Sequence, residues 1–206
     1  MTTGQNALRM FLAAGCVLFL PLAANAAPKV TTHYSYFKAA GTTDAALFAA
    51  VRAHGPVVSG KHAFARTRMK AAVSAKMTRQ GGQCAIRKVN FNLNFIIAVP
   101  RATQRKRFSP ALAHRWNRFL KHLVWHEKHH CSIWLKCARA AEKRILHLRA
   151  ASCLALNRKM KAEYQRAMRK CDSLHAAFDA REQRGIMRRP FVRAALGLTH
   201  SRRASR

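Results

Sequence analysis

The chain has 206 residues, a length typical of one domain that can bury a core. Half of its residues are apolar, which excludes a chain that is disordered throughout. The formal net charge of +32, from 39 basic and 7 acidic side chains, favours attraction to anionic partners such as an envelope polymer, a lipid surface or nucleic acid. The alternative is that the positive charge only keeps the protein soluble or reflects its composition, without a specific anionic partner.

The first 26 residues have the pattern of a secretory signal peptide. Arg9 precedes an apolar run from Met10 to Ala23, and Ala24-Asn25-Ala26 is a small-x-small cleavage site. The run is too short to span a bilayer as a stable helix. Cys16 leaves a lipoprotein open as an alternative, although the apolar run continues past it. We expect cleavage after Ala26 and a periplasmic or secreted protein with no transmembrane segment.

Residues 27–185 are predicted to form one α+β domain that begins with a small antiparallel sheet and a short helix. The pattern predicts, in chain order, a strand at 30–37, a helix capped by Thr43 or Asp44 and stopped by Gly55-Pro56, a strand near 64–74 and, after Gly81-Gly82, a strand ending at Pro100. In the last strand apolar side chains alternate with asparagines from 89 to 95, so one face is apolar and the other is lined by amides.

Two long helices follow a basic linker at 101–108. Ser109-Pro110 supplies an N-cap and a first-turn proline, and no proline or glycine occurs between Ala111 and Arg184. We expect helices to about residue 149 and from about residue 153 to 184, forming an antiparallel hairpin around 150–152. Residues 186–206 are expected to be a loose basic tail.

The first long helix contains the stretch LVWHEKHHCSIW, in which His126, Glu127 and His130 have the HExxH spacing of zinc hydrolases. Positions i and i+4 of a helix place two imidazoles on one face, where both can bind one Zn²⁺ at about 2.0–2.1 Å. The glutamate after the first histidine does not bind the metal and can act as general base on a zinc-bound water.

A helical wheel supports this interpretation over an accidental match. His126 and His130 fall within the apolar stripe of the helix, with Glu127 at its edge, whereas His122 and His129 lie further round and are expected to be solvated. The stripe also contains Leu112, Trp116, Phe119, Leu123, Trp134 and Cys137. The alternative is one buried, hydrogen-bonded histidine and one surface histidine.

With these motifs the chain resembles a bacterial family of predicted secreted zinc-dependent proteases, catalogued as a domain of unknown function. The resemblance runs from about Tyr34 to Gly185 and is carried by YFKAAGTTDAALFAAVRAHGP, by Cys84 and its alternating strand, by WNRFLKHLVWHEKHH and by Cys153. It implies a zincin-like α+β domain and metal-dependent peptide hydrolysis. The family closes with a Tyr-Asp…His-Gly motif, whereas this chain has FDAREQRG, which retains Asp179 but has Arg184 at the histidine position.

A catalytic zinc ion usually has three protein ligands, and the third must come from beyond the helix of the motif. A hairpin turning at 150–152 places His175 opposite His126, so His175 is the predicted third ligand, and the alternative is that it is a surface or core-edge histidine. Asp179 and Glu182, on the same helix, are its rivals. Glu142 lies too far along the first helix to reach the site.

Removal of Cys16 leaves five cysteines: Cys84, Cys131, Cys137, Cys153 and Cys171. An odd number in an oxidising compartment predicts up to two disulfides and one free or metal-facing thiol. The family resemblance favours a Cys84–Cys153 disulfide. The predicted hairpin register brings Cys131 towards Cys171, which would leave Cys137 free.

The sequence therefore predicts an exported zinc metallopeptidase that hydrolyses peptide bonds, with Glu127 as catalytic base and His126, His130 and His175 as metal ligands. The alternative is a catalytically impaired relative that acts as a cationic envelope-binding protein. A nucleic-acid binder is disfavoured because the aromatic residues lie mostly in apolar stripes and no recognised nucleic-acid module occurs.

Overall fold

The computed structural model describes residues 27–58 and 60–198, so the predicted signal peptide lies outside the described residues. The strands are β1 (Lys29–Ala39), β2 (Val57–Val58), β3 (Lys61–His62), β4 (Arg66–Gln80), β5 (Gln83–Ala102) and β6 (Arg149–Ala150). The helices are α1 (Asp44–His54), α2 (Pro110–Leu146), α3 (Cys153–Met187) and α4 (Pro190–Ala195), with a 3₁₀ turn at Arg105–Arg107. The predicted α+β class and the order of its elements are confirmed.

Each of the three longest helices has a side-chain N-cap. Thr43, Ser109 and Ser152 accept hydrogen bonds from the backbone N–H groups three residues later, at the starts of α1, α2 and α3. Ser and Thr at this position satisfy N–H groups that lack a partner within the helix. Local sequence therefore determines where α2, the helix of the HExxH motif, begins.

The main sheet has the order β1-β5-β4, with β6 paired to the start of β5. β4 and β5 form an antiparallel hairpin through Gly81-Gly82, whose φ angles are both positive, but β1 runs parallel to β5. The sheet is thus mixed, whereas an antiparallel sheet was expected. Alternation of side chains cannot distinguish the two arrangements, and the chain between β1 and β5 is long enough for a crossover.

One face of the sheet carries the core. Alternate residues of β5 are buried against α2 and α3, as the pattern predicted, and they include Val89, Phe91, Leu93, Phe95, Ile97 and Val99. Met69 and Val73 of β4 pack against the same core. The long helices therefore lie across one face, and the asparagines of β5 point to the other.

Two disulfides fix the helix hairpin. Cys84–Cys153 joins the start of β5 to the start of α3, as predicted, whereas the second disulfide is Cys137–Cys171. The predicted proximity of Cys131 to Cys171 and the prediction of a free Cys137 are wrong, and Cys131 is the free cysteine of the described residues. Because Cys171 is bonded to Cys137 instead of lying beside Cys131, the register of the two helices is offset by more than one turn from the predicted one. The connection between them pairs with β5 as β6 before α3 begins.

The C-terminal segment is partly ordered, contrary to the loose tail predicted for it. Phe191 and Val192 of α4 are fully buried, and the Phe191 ring lies 5.2 Å from Trp116 and 4.7 Å from Phe119. A Pro at the start of α4 and two adjacent apolar residues are too short a signal to separate a docked helix from a tail. Among the described residues no helix combines the length and apolarity needed to cross a bilayer.

Candidate metal centre

The two histidines of the motif lie one turn apart on α2 and direct the same ring nitrogen to one point. The Nε2 atoms of His126 and His130 are 3.1 Å apart. Both side chains are partly buried, at 21% and 11% exposure, because Phe178 of α3 packs over their rings. The predicted i, i+4 spacing on one helix therefore brings two potential metal ligands together.

Asp179 of α3 completes a triangle with these histidines. Its Oδ1 lies 3.2 Å from His126 Nε2 and 3.1 Å from His130 Nε2, and the three residues form a group able to bind a metal ion. A tetrahedral zinc ion with bonds of about 2.0–2.1 Å separates its ligand atoms by about 3.3–3.4 Å. The observed distances are close to that value, so the residues fit such an ion.

Hydrogen bonding alone accounts poorly for this triangle. Each imidazole Nε2 can supply at most one hydrogen, so three mutually close atoms cannot all be satisfied as donor–acceptor pairs. Burial raises the pKa of Asp179, but its hydrogen bonds to His126 and His130 and their positive charge outweigh burial and hold the pKa well below its usual range. The Asp179 side chain remains 55% exposed, which leaves the centre open to solvent on one side.

His175, the predicted third ligand, lies beside the triangle. Its Nδ1 is 2.8 Å from Nδ1 of His130, which is the ring nitrogen that points away from Asp179. Burial, followed by repulsion from His130, lowers the pKa of His175 to about 4, although Asp179 acts in the opposite direction. A neutral His175 can accept a hydrogen bond from His130 and so orient it, a role often played by groups behind a metal ligand.

Glu127 is buried rather than at the edge of the apolar face. Its side chain is in contact with Thr67 of β4, whose hydroxyl lies 2.7 Å from Glu127 Oε2, and only 4% of the residue is exposed. Burial raises the pKa of Glu127, and the Thr67 hydrogen bond and the two histidines partly offset this. No local pattern indicates Thr67, because the contact joins positions 60 residues apart on different elements.

Glu182 and two further histidines of α2 lie around the metal triangle but outside it. Glu182 Oε2 is 3.9 Å from Nε2 of His122, which places both outside the triangle. His122 was expected to be solvated but is buried, because α3 and the segment leading to α4 cover this side of α2; its pKa is lowered by burial and then by Arg189. His129, also expected to be solvated, is half-buried and stacks on Phe178 with ring centroids 4.1 Å apart.

The free Cys131 does not belong to the metal triangle. It is half-buried, and its burial, together with the nearby Glu127 carboxylate, raises its pKa to about 11. The thiol is therefore protonated at neutral pH and is a poor metal ligand, because metals bind the thiolate. The prediction of a free or metal-facing thiol is resolved in favour of a free one.

A cavity of about 590 Å³ opens between β4, α2 and α3 over these groups. Its lining includes Arg66, Thr67, His126, Glu127, His130, Trp134, Asp172, His175 and Asp179. A smaller cavity of about 240 Å³ adjoins it and is lined by Phe64, His122, Leu123, Glu182 and Ile186, among others. Together they gather four of the seven carboxylates of a strongly basic chain, so negative charge is concentrated at the centre.

No curated protein and no solved structure matches the chain. A family model described as "Bacterial protein of unknown function (DUF922)" matches residues 34–185, which include most of the sheet, all of α2, nearly all of α3 and every residue of the metal triangle. These limits agree with the extent of the resemblance seen in the sequence. The chain therefore belongs to the DUF922 family of bacterial proteins of unknown function.

Proposed function

We propose that the protein is an exported zinc-dependent metallopeptidase in which His126, His130 and Asp179 bind the metal and Glu127 is the general base. The observation that carries the proposal is the triangle of two Nε2 atoms and one carboxylate oxygen, with edges of 3.1–3.2 Å, beside a buried glutamate. Two histidines, one carboxylate and an open position form a ligand set of catalytic zinc sites. Asp179 replaces His175 as the proposed third ligand.

A bound zinc ion would polarise the scissile carbonyl and increase the acidity of a water molecule in the open position. Glu127 would accept the proton of that water and transfer it to the leaving amine. The Thr67 hydroxyl holds Glu127 Oε2 in place, so the carboxylate is oriented before substrate arrives. His175 holds the His130 ring from its opposite nitrogen.

The surroundings of the centre suit an extended peptide. Among residues 27–58 and 60–198, β4 pairs with β5 on one side only, so its other edge carries unpaired backbone groups, and Arg66 and Thr67 of this strand line the large cavity. An extended chain can bind such an edge by adding a strand to the sheet. The adjoining cavity at Phe64 and Leu123 has room for one substrate side chain.

Export is part of the proposal. Two disulfides are typical of proteins that fold in an oxidising compartment, and this supports a periplasmic or secreted location. The predicted cleavage after Ala26 lies outside the described residues.

Glu127→Gln provides the central test. The variant keeps the shape of the side chain and every proposed ligand, so it should retain about one zinc ion per chain while peptide hydrolysis falls at least about 10²-fold. His126→Ala is the matched control and should lose both zinc and hydrolysis. Wild-type protein that binds zinc but cleaves a broad peptide library no faster than Glu127→Gln would contradict the enzyme and favour the cationic envelope-binding alternative.

A further inference from the structure

The face of the sheet opposite the helices has a regular polar surface, here called the amide face. Its centre is formed by Asn90, Asn92 and Asn94 of β5, and no helix of the described residues packs on it. The strand register places Asn92 between Lys29 of β1 and Ala72 of β4, and Asn94 between Thr31 and Lys70. Amide groups in the middle are thus flanked by cations from both neighbouring strands.

The amide face has no negative charge of its own. No aspartate or glutamate occurs in β1, β4 or β5, and all seven carboxylates of the chain belong to α1, α2 and α3. The cations on this face, in addition to Lys29 and Lys70, are Arg68, Lys76 and Lys88. With no carboxylates to neutralise them, these side chains form a surface complementary to an anionic ligand.

A depression of about 310 Å³ lies at the centre of this face. It is lined by Lys29, Thr31, Lys70, Ala72, Asn92 and Asn94, among others. The Oδ1 atom of Asn94 is buried there and has no hydrogen-bond partner within the part of the chain that the structure describes. Because a buried acceptor without a donor is unfavourable, a ligand hydroxyl or N–H group towards which this amide can turn would relieve the cost.

The chemistry of the face selects among anionic ligands. The exposed Val30, Tyr34 and Tyr36 of β1 belong to the opposite side of the sheet, in register with Leu93, Ile97 and Val99 of the core. The amide face has no exposed phenylalanine, tyrosine or tryptophan, so it lacks the large aromatic platforms on which nucleic-acid bases stack. Ile96, which the register places on this face, is half-buried and does not protrude as residues that insert into a membrane do. Asparagine and threonine side chains suit the hydroxyl groups of a sugar.

From these observations we infer that the amide face binds an acidic glycan, a polysaccharide strand that bears carboxylate or phosphate groups. Lys29 and Lys70 contact its acidic groups, and Asn92 and Asn94 form hydrogen bonds with its hydroxyl groups. This binding does not require the metal centre. The amide face is nevertheless close to the metal centre. Lys70, Arg68 and Arg66 follow one another along β4 at steps of about 7 Å, and Arg66 lines the large cavity.

The test is titration of the disulfide-bonded protein at low salt with a short oligogalacturonate, a polymer of carboxylated sugars. Lys29→Gln combined with Lys70→Gln should weaken binding about fivefold to tenfold. Lys121→Gln combined with Lys161→Gln removes the same charge from exposed positions on α2 and α3 and should change binding less than about twofold. Equal losses in the two double variants would overturn the assignment to this face.

Asn92→Ala separates recognition of a sugar from attraction to charge. Asn92 is exposed, so the variant is expected to fold, and it should weaken binding of oligogalacturonate about threefold or more without affecting poly-glutamate of matched charge. Binding that is equally strong for poly-glutamate and insensitive to Asn92→Ala would overturn the inference. Stronger binding to single-stranded oligothymidylate, or to vesicles of phosphatidylglycerol and phosphatidylcholine, would overturn it in favour of a nucleic acid or a membrane.

Discussion

If the proposed zinc site is correct, Asp179→Asn should remove most of its affinity, because it converts one of three proposed ligands into a neutral amide without changing its size. Zinc binding in four-ligand sites is worth about 10–16 kcal/mol, or roughly 2.5–4 kcal/mol per ligand. A loss of that size weakens binding by roughly 10²- to 10³-fold. Both histidines remain, and their Nε2 atoms, 3.1 Å apart, are expected to hold the metal weakly.

The matched variants are His175→Ala and Glu182→Gln. His175 contacts the metal site only through His130, at 2.8 Å, and loss of a group behind a ligand typically weakens metal binding about 10- to 100-fold. Glu182 is 3.9 Å from His122 and outside the triangle, so Glu182→Gln should leave the affinity within about twofold. The three candidates for the third ligand are therefore distinguished by the loss of zinc affinity, which is largest for Asp179→Asn, smaller for His175→Ala and negligible for Glu182→Gln.

Competition between the protein and a chelating dye measures these affinities, and circular dichroism checks that each variant is folded. Substitution with Co²⁺ adds a direct view of the ligands, because its visible absorption changes when a ligand is lost and is retained when only His175 is altered. If His175→Ala abolished binding while Asp179→Asn kept the wild-type affinity and spectrum, His175 would be the ligand and the proposed triangle would be wrong.

Three further changes test the support of the centre and the fold. Thr67→Val should keep the zinc and lower peptide hydrolysis about tenfold or more, because Glu127 loses its hydrogen bond; an unchanged rate would exclude a positioning role. Replacing Cys84 and Cys153 by Ser opens a loop of 69 residues and should lower the free energy of unfolding by about 4 kcal/mol in urea titrations, and a change below about 1 kcal/mol would argue against this bond. Phe191→Ala should cost about 3–5 kcal/mol by the same assay, whereas a loose tail would tolerate it.

Local features of the chain could be predicted because their causes are local. The cap at Ser109 and the alternation along β5 depend on neighbouring residues, and both match the structure. The proximity of His126 and His130 follows from the helical repeat alone. The parallel pairing of β1 and the docking of Phe191 depend on how distant segments meet, and no short pattern carries that information.

The prediction of the third ligand depended on the register between α2 and α3. A tight turn at 150–152 would place Cys171 opposite Cys131, but the second disulfide shows that Cys171 faces Cys137. The same shift brings His175 to His130 and Asp179 to the point shared by both histidines. The predicted register was therefore wrong, because the segment between the two helices pairs with β5 as β6 instead of forming a simple tight turn. Asp179 was among the predicted rivals of His175 for the third ligand position, and which of the two binds a metal stays a prediction.

Arg184, which stands at the position of the family histidine, does not remove a ligand of the proposed metal site. Asp179 and Arg184 lie on one continuous helix, five positions apart, which corresponds to about 140° around the axis and about 7.5 Å along it. A side chain at 184 therefore points away from the group that Asp179 forms with the two histidines, and Arg184 is exposed. Two histidines and a carboxylate leave the centre three ligands without any contribution from that position, so Arg184 leaves the proposed ligand set intact.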